Sequence, residues 1–166
     1  MPAVPGRGVS EVKHPYGWFK SDTSSEIGFG AMADDPRGLL SHFDALLGTE
    51  WLDDDPGHAR VRVAMRDELR QPVGLLHGGV MSTLVESVCS RATALAVMGD
   101  GMMAMGQSIS VNFIRPVTEG HAEVKARARH CGRTTWVWDA EVRDANDKLC
   151  ALAQMTIAVR PIPKSS

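Results

Sequence analysis

The sequence predicts a two-layer α+β fold in which one long helix packs against an antiparallel sheet. The first observation is an apolar stretch at 79–98, which is followed by Gly99-Asp100-Gly101 and is long enough for about five helical turns. The second is a series of four later segments in which apolar and polar residues alternate, as in half-buried strands. Short turns join the last three segments, which indicates an antiparallel meander.

Three elements are predicted before the long helix. Residues 1–34 are rich in glycine, serine, proline and charge and should form an extended or partly ordered arm. A short amphipathic helix is expected from Asp35 to near Gly48, because leucines recur there at helical spacing. The alternating segment HARVRVAMRDE (58–68) predicts a strand. We therefore divide the chain into an arm at 1–34, one domain at 35–162 and a tail at 163–166.

The strands after the long helix are expected in QSISVNFIRPV (107–117), HAEVKARARHC (121–131), TTWVWDAEVRD (134–144) and LCALAQMTIAV (149–159). Trp136 and Trp138 share one face of a strand and are expected to pack in the core or in an interface, with contact to an acyl or adenine group as the alternative. Cys89, in the long helix, and Cys150, in the last strand, are expected to be inert core thiols.

Composition and charge argue against several classes of function. A formal net charge of −2 over 166 residues leaves no basic surface for nucleic acid. Three cysteines without close pairs argue against a disulfide framework, and six histidines without ligand spacing argue against a metal site. No apolar run looks long and uninterrupted enough to span a bilayer, and the N-terminus lacks a secretory h-region. We expect a cytoplasmic protein that acts without metal, membrane or nucleic acid.

One carboxylate, Glu86, interrupts the apolar helix and raises the question of its role. At about 100° per residue, four small or polar residues lie within about 40° of it. These are Gly79, Ser82, Ser90 and Thr93, whereas Leu84, Val88 and Leu95 lie on the opposite face. A solvated face would normally carry several long charged side chains. The small-residue stripe therefore favours a pocket wall over a solvated face.

The helix begins at the motif His77-Gly78-Gly79. Its first backbone N–H groups lack partners within the helix and point outward at the positive end of the helix dipole, so they suit an oxyanion. Gly78 and Glu86 are eight residues apart, which is about 12 Å along a helix axis. One carbonyl cannot reach both within a single chain, so joint action requires two subunits. The surplus apolar surface of the helix also predicts a homo-oligomer.

The segment HGGVMSTLVES, with its acid nine residues after the histidine, resembles the hotdog-fold thioesterases, in particular their phenylacetate-type (PaaI-like) branch. The strands that follow, with RP near the first and GR between the next two, are similar to the tail of that family, so the resemblance covers roughly 58–160. It implies a long central helix wrapped by a curved antiparallel sheet. It also implies a dimer with one continuous sheet, or a dimer of dimers, hence a homodimer or homotetramer.

The resemblance further implies roles for individual residues. Glu86 attacks the thioester carbonyl or activates a water, while the Gly78 N–H holds the carbonyl oxygen. Gln71, six residues before His77, orients the water or carbonyl, and Ser90 contacts the acid. His77 either donates to a pocket group or braces the loop.

Four further residues are expected at the substrate. Gly79 and Ser82 border the pocket. Arg129 and Arg133 lie at a strand junction, where they either hold the phosphates of CoA or form a solvated hairpin tip. The family often has Ser, Thr or Asp at the start of the strand after the helix. This chain has Gly106, Gln107 and Ser108 there, so the polar contribution from that strand is open.

The sequence as a whole predicts a thioester hydrolase, an acyl-CoA thioesterase that uses no cofactor beyond the coenzyme A of its substrate. A non-catalytic acyl-CoA-binding hotdog protein could dispense with the carboxylate, so the presence of Glu86 argues against it. A hotdog hydratase or dehydratase typically needs an Asp and a His in a different arrangement, which the sequence lacks. The preferred acyl group is left open.

Overall fold

The computed structural model describes residues 41–163. Eight helices and strands follow one another in this range: α1 (His42–Leu47), β1 (Thr49–Asp53), β2 (His58–Ala64), α2 (Gly78–Val97), β3 (Met102–Phe113), β4 (His121–Cys131), β5 (Thr135–Asp144) and β6 (Leu149–Pro161). Single 3₁₀ turns precede and follow α2, at Asp67–Leu69 and Met98–Asp100. The predicted arm at 1–34 and the last three residues of the predicted tail lie outside the described residues.

The six strands form one antiparallel sheet in the order β1-β2-β4-β5-β6-β3. The predicted meander β4-β5-β6 is confirmed, and β3 pairs with β6 to become an edge strand. Thr135, Ala158 and Met105 lie side by side near one end of the sheet, and Val142, Ala151 and Phe113 lie side by side near the other.

Helix α2 is the core of the fold, as predicted, and the sheet curves around it. Leu84, Val85 and Val88 are fully buried, so the helix is held chiefly by apolar packing. By length and hydropathy alone the stretch Gly78–Asp100 could cross a membrane, yet half of it is buried inside the protein. This burial is typical of a core helix in a globular domain.

Strand β1 was not predicted, because its sequence TEWLD contains too few apolar residues to show alternation. It pairs with β2, with Trp51 opposite Val61, and its Trp51 ring stacks on the Arg91 guanidinium at 4.8 Å. Strand β3 also begins five residues earlier than predicted, at Met102. The observed part of the first helix starts after Ser41, whose side chain caps it, whereas the predicted start at Asp35 lies outside the described residues.

Thr93 does not belong to the Glu86 stripe, contrary to the helical-wheel prediction. It is fully buried, donates to the Cys89 carbonyl at 2.8 Å and accepts from Trp138 Nε1 at 3.0 Å. Since the sheet curves around the helix, one helical face meets different surroundings along its length. Leu95 is likewise only half-buried instead of part of the core.

The predictions for the tryptophans and two cysteines are confirmed. Trp136 and Trp138 are buried and stacked, with ring centroids 6.0 Å apart. Cys89 and Cys150 are fully buried. Burial raises the pKa of the Cys89 thiol far above its ordinary value, and the negative charge of Glu86 raises it further. The Cys89 thiol is therefore protonated and unreactive at neutral pH.

Candidate active site

The His77 side chain fixes the start of α2. Its Nδ1 accepts a hydrogen bond from the Gly79 N–H at 2.9 Å, and its carbonyl accepts from the Val80 N–H at 2.9 Å. The imidazole therefore acts as the N-cap that Ser or Asp usually provides. Within residues 41–163 no acceptor bonds the Gly78 N–H, so this donor is free for a ligand at the positive end of the helix dipole.

A cavity of about 650 Å³ opens at this helix start. Its polar lining includes five of the residues that the sequence indicated: Gln71, His77, Gly78, Gly79 and Ser82. The rest of the lining is mainly apolar and consists of Leu75, Leu76, Met81, Phe113, Ile114 and Pro116, together with Arg115. The size and the apolar walls with a few converging polar groups are typical of a small-molecule site.

Phe113 is a site residue that sequence reasoning missed. Its ring packs directly on Gly78, because a Cβ at Gly78 would lie only 3.0 Å from the ring Cζ. More than half of the Phe113 surface is exposed. A large aromatic side chain at the end of an alternating strand was the only available signal, and it suggested an ordinary core position.

Glu86 lies at a different place in the same chain. Its Oε1 accepts a hydrogen bond from Ser90 Oγ at 2.8 Å, and it lies against Gly106 of the edge strand. The carboxylate is half-buried and does not line the cavity at Gly78. Along β3, Gly106 and Phe113 are seven residues apart, or about 23 Å at the usual rise per residue. One chain thus carries the two halves of the predicted site at separate points.

The edge strand β3 exposes apolar side chains. Met105, Ile109 and Phe113, together with Ile114 just after the strand, are each between 41% and 54% exposed. An edge strand also presents unpaired main-chain N–H and C=O groups. The combination of an open ladder and apolar side chains is the kind of surface that another strand covers.

The two arginines expected at the CoA phosphates lie away from the Gly78 cavity of their own chain. Arg129 pairs with Asp139 at 3.2 Å and borders a groove of about 540 Å³ on the face of the sheet that points away from α2. Arg133 is exposed in the hairpin between β4 and β5. Across 41–163, no three His, Cys, Asp or Glu side chains converge on a possible metal position.

Comparison with known proteins places the chain in a family. Residues 73–151 match the thioesterase superfamily model. A Pseudomonas aeruginosa protein named as an esterase is 37% identical over 113 residues, covering 68% of this chain and 77% of that protein. The 1,4-dihydroxy-2-naphthoyl-CoA hydrolase of Listeria monocytogenes is 32% identical over 114 residues, covering 69% of this chain and 92% of that enzyme. The match to an esterase-named protein of Pasteurella multocida, 36% identical, spans 63% of that relative.

Solved structures agree with this placement. A thioesterase from Haemophilus influenzae superposes with a TM-score of 0.69 at 29% identity, covering 74% of this chain and 85% of that one. AziG from S. sahachiroi superposes with a TM-score of 0.70 at 34% identity, covering 74% and 99%. The expected fold class is thereby confirmed: this chain is a hotdog-fold member of the thioesterase superfamily.

Proposed function

We propose that two copies of this chain form an enzyme that hydrolyses acyl-CoA thioesters to the free acid and CoA. Each site takes its carbonyl-binding donor from one subunit and its carboxylate from the other. Family membership and the name of the Listeria relative support the reaction class. The single observation that carries the shared site is the separation of Glu86 from the cavity at Gly78 within one chain.

The exposed edge of β3 supplies a way to join the two halves. The exposed apolar side chains run from Met105 in the strand to Ile114 just after its end, so their midpoint lies between Ile109 and Ser110. If two β3 strands pair antiparallel about that midpoint, Phe113 lies opposite the partner's Gly106. Paired strands are about 4.8 Å apart. Because Phe113 packs on Gly78 and Gly106 packs on Glu86, this pairing brings the partner's Glu86 towards the Gly78 cavity.

The chemistry follows from these positions. The thioester carbonyl oxygen accepts a hydrogen bond from the Gly78 N–H. The dipole of α2 stabilises the negative charge that develops on this oxygen. Gln71 orients the carbonyl or a water from the cavity wall, and Ser90 holds the carboxylate that completes the site. Gly79 and Ser82 border the bound substrate. His77 acts by holding the helix start in place.

Two routes satisfy the geometry. In one, the partner's Glu86 removes a proton from water, the oxygen adds to the carbonyl carbon, and the C–S bond breaks as the thiolate takes up the proton. In the other, the carboxylate oxygen adds to the carbon and expels the CoA thiolate, and water then hydrolyses the mixed anhydride. A thiolate is a good leaving group, so neither route requires a metal or a further cofactor.

The CoA part of the substrate is assigned to the hairpin that carries Arg133. Thr135 follows that turn and shares a row of the sheet with Ala158 and Met105. In the proposed pairing, Met105 of one subunit lies opposite Ile114 of the other. The row therefore continues across the edge to a residue that lines the other subunit's cavity. The partner's Thr135 then lies three strand spacings, roughly 14 Å, from that lining residue, so the partner's Arg133 would bind a phosphate of CoA that extends out of the cavity. Arg129, which is paired with Asp139, is the second candidate.

The proposal also covers the assembly and its setting. We propose a cytoplasmic homodimer as the smallest active unit, with pairing of dimers into a homotetramer as the larger form. An acyl-CoA-binding protein without activity is the alternative of a different class, and a hydratase or dehydratase is the other enzymatic one.

The test is hydrolysis of a panel of aryl, branched and medium-chain acyl-CoAs by the parent protein and by Glu86→Gln. The parent should release CoA, and the nearly isosteric variant should lose at least 100-fold in kcat. Binding of acyl-CoA by the parent without turnover would support the binding protein. Addition of water to an enoyl-CoA without CoA release would support the hydratase.

A further inference from the structure

We propose that Gly106 is a positioning residue: the absence of its side chain leaves the notch in the edge strand in which the Glu86 carboxylate is held. This inference rests on the proposed function, because it assigns a purpose to the place where Glu86 lies. Gly106 stands at one of the positions where the family resemblance implies Ser, Thr or Asp.

The space around Gly106 is too small for a side chain. A Cβ at Gly106 would lie 3.0 Å from Glu86 Oε1 and 2.9 Å from Met155 Cε. Both distances are shorter than ordinary van der Waals contacts, so any side chain at this position displaces the carboxylate or the methionine. Gly106 is not among the glycines with a positive φ. Its lack of a side chain therefore serves the close approach of its neighbours and not a special backbone conformation.

Strand β3 has a β-bulge next to Gly106. Gly106 pairs with Ile157 and Ser108 pairs with Thr156, which leaves Gln107 as an extra residue in β3. A β-bulge bends its strand and locally interrupts the ladder, and bulges are common beside active sites. Here the bulge adjoins the glycine that contacts Glu86.

On the side away from Gly106, the Glu86 carboxylate is held by Ser90. Ser90 Oγ donates to Glu86 Oε1 at 2.8 Å from the next turn of α2. The same oxygen is thus held between a hydroxyl on the helix and the bare main chain of the edge strand. This is also the edge on which the proposed partner subunit pairs, so the notch holds the carboxylate towards the partner's cavity.

A rival explanation is that Gly106 only makes room for Met155. That side chain is almost fully buried and its methyl is the closer of the two neighbours. The two explanations differ in what happens when the methyl is removed. Met155→Leu deletes the ε methyl and leaves Glu86 as the close neighbour of a new Cβ.

The experiment compares Gly106→Ala, Gly106→Ala/Met155→Leu and Met155→Leu with the parent dimer, using an acyl-CoA that the parent hydrolyses. Gly99→Ala is the matched control, because a Cβ there meets nothing within 4 Å and its φ is ordinary. We expect Gly106→Ala to lower kcat at least tenfold with KM within twofold of the parent, and the loss to persist in the double variant. Thermal denaturation and sedimentation report on fold and assembly, and the double variant retains space even if the single variant packs poorly.

A double-mutant cycle with Glu86→Asp gives a readout that would not change if Gly106 only made room for Met155. The shorter carboxylate no longer reaches the new methyl, so Gly106→Ala should cost less than threefold in kcat in the Glu86→Asp background. Recovery of activity in Gly106→Ala/Met155→Leu, an undiminished kcat in Gly106→Ala or a fully additive cycle would each overturn the proposal. If Glu86→Gln is inactive in those cases, the proposed function stands and only the positioning role fails.

Discussion

The hydrogen bond between Ser90 and Glu86 offers a sharp test of the carboxylate's role. Ser90→Ala removes the hydroxyl that donates to Glu86 Oε1 at 2.8 Å. A hydrogen bond to a charged group contributes about 1.5–3 kcal/mol. Since each 1.36 kcal/mol is tenfold in rate, full loss of its effect in the transition state predicts a decrease of about 10- to 150-fold in kcat/KM.

The assay is steady-state release of CoA by Ser90→Ala, Ser90→Thr and the parent. Ser87→Ala is the control, because Ser87 lies on the same helix, is half-buried and has no side-chain hydrogen bond to residues 41–163. Ser90→Thr retains a hydroxyl and should recover most of the activity. Parent-like turnover by a folded, dimeric Ser90→Ala would refute the view that this contact prepares Glu86 for catalysis.

Three further predictions concern assembly, stability and thiol access. Ile109→Lys places a charge on the open edge of β3 and should yield inactive monomers in sedimentation velocity; an active dimer would contradict the edge pairing. Trp138→Phe leaves the buried Thr93 hydroxyl without its 3.0 Å donor, and it should lower the free energy of unfolding by about 1–3 kcal/mol in chemical denaturation. A maleimide should label only the exposed Cys131 in the native protein, and slowly, because desolvation raises the pKa of its thiol, whereas all three cysteines should react in denaturant.

The local sequence pattern was sufficient to predict most of the helices and strands. Helix α2 and strands β4 to β6 show clear periodicity because each buries one defined face, so their sequences report their environments. Strand β1 carries no such signal: three of its five residues are acidic or polar, and it is held by pairing with β2. Thr93 shows the limit of a helical wheel, since a polar residue at the angle of Glu86 proved to be a buried partner of Trp138.

The site was predictable where chemistry depends on a local motif. His77, Gly78 and Gly79 are consecutive, and Ser90 is one helical turn after Glu86, so spacing alone puts these groups together. Phe113 and Gly106 come from a distant strand, and only tertiary packing brings them against Gly78 and Glu86. Contacts of this kind depend on how the sheet curves around the helix, which no local sequence pattern contains.

The central claim, that each site is shared between two subunits, is tested most directly by subunit complementation. One variant is Glu86→Ala. The other is Gly78→Pro, which removes the N–H at the first helical position, where proline suits the backbone, and which also shifts the Phe113 ring that packs on Gly78. Each variant alone should be inactive.

In a mixed dimer, one site combines the intact Gly78 of one subunit with the intact Glu86 of the other, and the second site carries both lesions. Random mixing in equal amounts should therefore restore about a quarter of the parent activity. If every mixture remains as inactive as its components while mixed dimers are shown to form, both groups act within one chain and the account is wrong.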